Sequence, residues 1–334
     1  MTASTPPSQD VYILGAGFSK WVAPEMPLTS EIGEHLRTRG GPEHSDIVDL
    51  VDRFGGFEAA LSFLAAPPPF VDALKRFEYV ARYRALAKFC GKHIADNEET
   101  VRESTRHKGV PLSLARLLEH WIQTQSDVLT LNYDTLIEAA YVGESNTSGS
   151  QRELYPADFR PIYPGGNRTI PQPRPFSLYK LHGSLNWYTY LDDPNADIYN
   201  APISRWGRSD TISDDVRLDM DRFVVPPSFS KSSFLSRRPI QYLWRDAASR
   251  LLGAKRIICI GYSLPPEDTD MRSLLRWTVG EKENTRATTR IVVVNTDHNA
   301  MARYEELFVG CDVRPMIDDV DNWMASEGLI VQKD

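Results

Sequence analysis

The sequence predicts an α/β protein: a doubly wound, Rossmann-like parallel sheet of about six strands with an α-helical insertion, in a single domain spanning 1–334. Three observations predict it. Five short apolar runs each break off into small or polar residues, helical patterns alternate with those runs, and the stretch of about 40–126 is helical in period with no convincing strand.

The first run, Val11 to Leu14, ends in Gly15-Ala16-Gly17-Phe18-Ser19, the pattern of a buried strand entering a glycine turn. The insertion follows, with helical patterns over Phe57 to Ala65 and Val71 to Cys90 separated by Pro67-Pro68-Pro69. Leu114, Leu117, Leu118, Trp121 and Ile122 then recur at helical spacing before Asp127 to Leu131, which runs into Asn132-Tyr133-Asp134. Leu136, Ile137, Ala140 and Tyr141 form the helix after it. An irregular region of about 143–175, containing Gly165-Gly166 and several prolines, reads as loop rather than core. Leu178 to Leu181 leads into His182-Gly183-Ser184. The region of about 191–236 is rich in Asp, Ser and Pro, and its apolar run Phe223-Val224-Val225 before Pro226-Pro227 could form a flap; the sequence leaves open whether 223–231 gates a site. Arg256 to Ile260 runs into Gly261-Tyr262-Ser263, and Arg290 to Val294 into Asn295-Thr296-Asp297. Met271, Leu274 and Leu275 follow the former, and Met301, Tyr304 and Leu307 the latter. Open parallel sheets bind ligands outside the carboxyl ends of their strands, so five polar motifs at five such ends point to one site.

Composition narrows the function classes. Lys and Arg number 38 against 45 Asp and Glu, a formal charge of -7 that leaves no excess of cations for a phosphate backbone; direct nucleic-acid binding is not expected. No apolar run approaches the roughly 20 residues of a membrane span, and the polar N-terminus through Asp10 lacks a signal-peptide core, so a cytoplasmic protein without membrane contact is expected. Cys90, Cys259 and Cys311 stand far apart with no CxxC pair, which excludes a four-cysteine zinc site; no metal is expected, and Cys259 reads as core packing.

The Gly15-x-Gly17 turn lets backbone approach a pyrophosphate, whose charge adjoining amides or a helix N-terminus would stabilise. The third glycine of a dinucleotide fingerprint is missing, since Lys20 stands there, and Glu34 lies in a helical pattern rather than at a strand end, which disfavours an ordinary dehydrogenase. Asp134 suits either a helix cap or a ligand contact, and Asn132 either a turn or a ligand. Among seven histidines, only His182 stands at a predicted strand end followed by Gly-Ser. Gly261 and Ser263 suit a phosphate or ribose contact, Asn295 a ribose hydroxyl, and Asp297 a cap or a ligand.

In order, Gly15-Ala16-Gly17-Phe18-Ser19, Leu131-Asn132-Tyr133-Asp134, Leu181-His182-Gly183-Ser184, Gly261-Tyr262-Ser263-Leu264 and Val294-Asn295-Thr296-Asp297 resemble the sirtuin superfamily, and within it the bacterial SIR2-like branch associated with anti-phage defence. The resemblance implies that Gly15, Ala16, Gly17, Phe18 and Ser19 line the phosphates and ribose of NAD. It also implies that Asn132 and Asp134 face the nicotinamide ribose and carboxamide, that His182 is catalytic, and that Gly261, Ser263 and Asn295 contact the cofactor. Where protein-deacylating sirtuins carry a Gly-Ile-Pro-Asp-Phe-Arg run, this chain reads Lys20-Trp21-Val22-Ala23-Pro24-Glu25-Met26-Pro27, and their zinc-ribbon cysteines are absent. The expectation is therefore a hydrolase that takes NAD as substrate and yields nicotinamide and ADP-ribose. By the same resemblance it acts in anti-phage defence, as a homo-oligomer or with a companion ATPase, helicase or Argonaute-like protein. A sensor of NAD or ADP-ribose without turnover, and a protein deacylase or ADP-ribosyltransferase, are the alternatives.

Overall fold

The computed structural model describes residues 10–39, 45–144, 150–157, 159–161, 174–190, 193, 195–207, 220–226, 232–280, 289–315 and 317–331. The chain opens with β1 (Asp10–Leu14), whose last four residues are wholly buried, as expected of a strand covered on both faces. It turns at Gly15 into α1 (Ala16–Val22). Helices alone fill the described residues between β1 and the next strand: α2 (Thr29–Arg39), α3 (Ser45–Phe54), α4 (Phe57–Ala65), α5 (Ala73–Ser104) and α6 (Leu112–Thr124). The Asp72 carboxylate starts α5 by accepting from the Lys75 amide, and α6 ends at Gln125 in the left-handed conformation.

Next come β2 (Asp127–Thr130), α7 (Leu136–Glu144), β3 (Arg160–Pro161), β4 (Ser177–Lys180), β5 (Gly183–Thr189), β6 (Tyr199–Asn200) and β7 (Asp221–Val224). After α8 (Ser232–Leu235) and α9 (Arg238–Gly253), β8 (Arg256–Ile260), α10 (Thr269–Gly280), β9 (Arg290–Val294), α11 (His298–Leu307), β10 (Asp312–Val313) and α12 (Val320–Ser326) complete the chain.

The main sheet is six-stranded and parallel in the order β10-β9-β8-β1-β2-β4. Taken by their sequence along the chain, its strands stand in the order 3-2-1-4-5-6 inverted, the doubly wound arrangement, with the reversal between β1 and β8. This is the predicted fold class. Its sixth strand, β10, has only two residues, too few to leave a periodic signal.

A second sheet, β3-β6-β5-β7, was not predicted. Its central strand, β5, starts one residue after His182 and is buried at every position, so it carries no alternation to read. Two expectations are corrected by this sheet. The 143–175 region is not all loop: Leu154, Tyr155 and Phe159 are buried, and the Phe159 and Trp187 rings lie 4.2 Å apart between centroids. The Phe223-Val224-Val225 run is not a flap, because Phe223 is fully buried in β7 and the Val225 amide donates to the His182 carbonyl at 2.8 Å. An apolar trio of that kind gains more from burial than from covering a solvated mouth. Residues 227–231, the rest of the segment whose gating the sequence left open, lie outside the described residues, as does Gly165-Gly166. Among the described residues no helix is long and apolar enough to cross a membrane.

Candidate functional site

At the reversal of strand order, the turn after β1 and the loop after β8 pack backbone against backbone. The Gly15 amide donates to the Ile260 carbonyl at 3.1 Å, and the Gly17 amide to the Gly261 carbonyl at 3.0 Å. A Cβ on Gly15 would lie 2.6 Å from the Gly261 oxygen, and one on Gly261 would lie 2.1 Å from the Phe18 nitrogen. Gly261 also has φ +61, a conformation that favours glycine. The glycines that the sequence pointed to as a phosphate turn are thus required for loop-to-loop contact, whatever they bind, and the Gly17 amide is already committed.

The turn after β2 rests on that platform. The Asn132 side-chain amide donates to the Gly15 carbonyl and to Ser19 Oγ, both at 2.8 Å, and Ser19 Oγ donates to Asp134 Oδ2 at 2.6 Å. The other Asp134 oxygen accepts from the Leu136 amide at 3.3 Å, so this carboxylate caps α7 and faces the glycine turn at once. Burial pushes the Asp134 carboxyl up to about 6; Lys180 opposes this, Glu98 adds to it, the Ser19 hydrogen bond opposes it and Glu138 adds to it.

Beneath the turn lie charges that sequence reasoning missed. Lys180, the last residue of β4, is 1% exposed and donates to the carbonyls of Asp134 and Tyr133 and to Glu138 Oε1. Glu98 reaches in from the C-terminal part of α5, where it accepts from the Thr135 amide at 2.7 Å and the Thr135 hydroxyl at 2.6 Å and pairs with Arg102. A lysine ending an apolar run was a readable signal for the first. A glutamate in a long polar helix gives none for the second.

His182 follows β4 after one residue, Leu181. Its carbonyl is held by Val225, its ring centroid lies 6.2 Å from that of Trp244, and the Trp244 indole N–H donates to the Leu181 carbonyl at 3.0 Å. Its Nε2 stands 3.8 Å from Asp268 Oδ1, and Asp268 Oδ2 accepts from the Tyr262 hydroxyl at 2.8 Å. Sequence reasoning passed over Asp268, which sits directly before α10 and reads as a helix cap.

On the far side, Asn295 Oδ1 accepts from the Asp297 amide at 3.0 Å, while its Nδ2 is buried with no hydrogen-bond partner among the described residues. Asp297 caps α11 through the Asn299 amide and binds Arg303, whose hydrogen bond holds the Asp297 carboxyl below its ordinary value. Arg303 also donates to the Ser263 carbonyl at 2.7 Å, tying the loops after β8 and β9 together.

These turns enclose one cavity of about 510 Å³. Gly15, Ala16, Gly17, Ser19, Asn132, Asp134, His182, Gly261, Ser263 and Asn295 all line it. Phe18, grouped with them from the sequence, does not: it is 1% exposed, and its ring packs against Trp21 and Trp121, because α1 turns that position into the core. Met26, Pro27 and Leu28, together with Glu58 of α4 and Ile94 of α5, wall the side facing the helices between β1 and β2. Among the described residues no group of three or more His, Cys, Asp or Glu could hold a metal ion.

The chain is similar, at 13% identity over 97% of its length and 91% of the other, to a structure described as bearing on the mechanism and regulation of Sir2 enzymes, with a TM-score of 0.44. It is similar at 14% identity, over 96% of this chain and 94% of the other, to a Sir2 structure with p53 peptide and NAD+, with a TM-score of 0.41. No curated protein matches the chain. The SIR2-like domain matches residues 126–315, from the strand before Asn132 to beyond Asn295 and so over more than half of the sequence. The chain belongs to the SIR2-like domain family.

Proposed function

We propose that this protein cleaves the nicotinamide–ribose bond of NAD+ with water as acceptor, releasing nicotinamide and ADP-ribose. The observation that carries the reading is the gathering of Asn132, Asp134 and His182 with Ser19 and Asn295 around one cavity at the switch point of a doubly wound sheet. The cavity fits a dinucleotide in two respects. Its glycine loops offer backbone in place of side chains, and the buried Asn295 Nδ2 is a donor that a ribose hydroxyl would satisfy.

In this reaction the C1′–N bond breaks with its electron pair going to the pyridine nitrogen. The cationic ring thus leaves as neutral nicotinamide and needs no acid. Water oxygen bonds to C1′ and one water proton is released. His182 accepts that proton, a task suited to an imidazole, whose ordinary pKa is about 6.5. Asn132, with both amide hydrogens donated to Gly15 and Ser19, presents its carbonyl oxygen to a ribose hydroxyl. Asp134, ionised above about pH 6, supplies negative charge near the oxocarbenium-like centre from a buried position where it is poorly screened.

Two features favour water over an acyl-lysine acceptor. Lys20 to Pro27 replaces the run of the deacylating sirtuins, and Glu58 and Ile94 wall the cavity on the helical side. Unrestrained, such a reaction drains the NAD of its own cell. We therefore extend the proposal to a cytoplasmic role in anti-phage defence, held in check by homo-oligomerisation or by a companion ATPase, helicase or Argonaute-like protein.

The test is to incubate purified protein with NAD+, with and without those partners, and to identify products by mass spectrometry. Nicotinamide and ADP-ribose are expected, with His182→Ala slowing their release by about 10²–10⁴-fold in a folded protein. No product under any condition, or an unimpaired His182→Ala, sinks the reading. Tight NAD+ binding without turnover would point instead to a sensor, and O-acyl-ADP-ribose from an acylated peptide to a deacylase.

A further inference from the structure

His182 and Asp268 reach the same point from strands that are not neighbours, since β1 and β2 lie between β4 and β8. Their closest atoms, Nε2 and Oδ1, are 3.8 Å apart, both side chains are more than nine-tenths buried, and both residues line the cavity. That separation is too long for a direct hydrogen bond. It is short enough for one water oxygen, about 2.8 Å from each atom, to close a triangle with them. A carboxylate and the unprotonated nitrogen of a neutral imidazole are both acceptors, so the gap suits a molecule with two O–H donors. Asp268 cannot swing freely, because its second oxygen accepts from Tyr262 Oη, and Tyr262 is in turn tied through its carbonyl to the Tyr304 hydroxyl at 2.8 Å.

We propose that Asp268 is a second catalytic carboxylate, which with His182 holds the attacking water. This rests on the NAD-cleavage reading and adds a residue to it. One water proton passes to His182 Nε2 as the oxygen bonds to C1′, and the C1′–N electron pair leaves with nicotinamide. The other hydrogen stays on the oxygen, hydrogen-bonded to Asp268, and becomes that of the new hydroxyl. The Asp268 charge then stabilises the imidazolium. The other ionisable groups on the same cavity, among the described residues, are Glu58 of α4, Tyr133 and Asp134 after β2, Tyr262 and Glu267 after β8, and Asp297 after β9.

Asp268→Asn separates catalysis from structure. Asparagine caps a helix as well as aspartate does and its one oxygen still accepts from Tyr262, so what is lost is the charge and the second acceptor, the one that faces His182. The variant is expected to keep its melting temperature and its KM for NAD+ within a few-fold. Its kcat should fall by about 10²-fold or more, with the acidic limb of the pH–rate profile moved to lower pH. An independent reading comes from NMR titration of the His182 imidazole, assigned with His182→Ala. Removing a carboxylate at this distance should lower its midpoint by about one unit. A kcat, pH profile and His182 titration that Asp268→Asn leaves unchanged overturn the proposal. If the wild-type protein releases no nicotinamide, it is the NAD-cleavage reading that fails, and the titration still decides whether the two side chains act as a pair.

Discussion

The two halves of the site are built on opposite principles. Around Gly15, Gly17 and Gly261 the architecture is steric: backbone meets backbone with no room for a Cβ, and amides and carbonyls pair directly across the interlocked loops. Around Asn132, Asp134 and His182 it is electrostatic: side chains from α1, α5, α7 and β4 form a buried lattice of charges and hydrogen bonds that hold one another's orientation. The first half is rigid because nothing else fits. The second depends on every partner being present, since an unpaired buried charge is costly.

The largest effect is expected where the steric half is broken. Gly261→Ala should destabilise the fold by on the order of 4 kcal/mol or prevent its recovery as soluble protein, because a left-handed φ and a backbone clash coincide. Denaturant unfolding measures this, and a variant as stable as wild type would mean the loops can part. Glu98→Ala breaks the electrostatic half without touching the cavity. It leaves the Thr135 amide and hydroxyl without their acceptor and Arg102 with Glu99 alone, for about 3 kcal/mol. Glu98→Gln should recover part of that loss by restoring an acceptor, and equal stability of the two variants would count against a hydrogen-bonding role.

The smallest effect is a pH dependence carried by Asp134 in the electrostatic half and by Asp127, at the other end of β2 beside Arg250 and Asp246. Asp134 and Asp127 are both raised from an ordinary 3.8 to about 6, in each case by burial first. The folded protein therefore binds more protons than the unfolded chain between those values. The contribution of these two groups to stability is greatest below about pH 4 and is lost as pH rises through about 6. Asp134→Asn and Asp127→Asn should each flatten that slope and stabilise the protein at pH 7 by on the order of 2 kcal/mol. Melting temperatures from pH 4 to 8 test this, and slopes left unaltered by both substitutions would refute it.

How much was legible follows the same division. The steric half could be read because glycines at the end of an apolar run are a local signal, although the partner of each glycine could not. Of the electrostatic half, Asn132, Asp134 and His182 were legible as polar residues at strand ends. Asp268 was hidden behind the pattern of a helix cap and Glu98 behind an unremarkable helix. The second sheet was hidden because β5 is buried throughout and β3 and β6 have two residues each. Phe18 was placed with the ligand-facing residues because it sits among them in the chain, whereas one turn of α1 carries it into the core.

By itself, the sequence determined five of the six strands of the parallel sheet, several of the helices between them and the polar residues at the strands' carboxyl ends, since each follows from the pattern of neighbouring side chains. The tertiary structure alone decided which strands became neighbours, and with that the interlock of Gly15 with Gly261 and the meeting of His182 with Asp268. Those contacts join residues far apart in the chain. They depend on the order in which the strands pair, which no local pattern encodes.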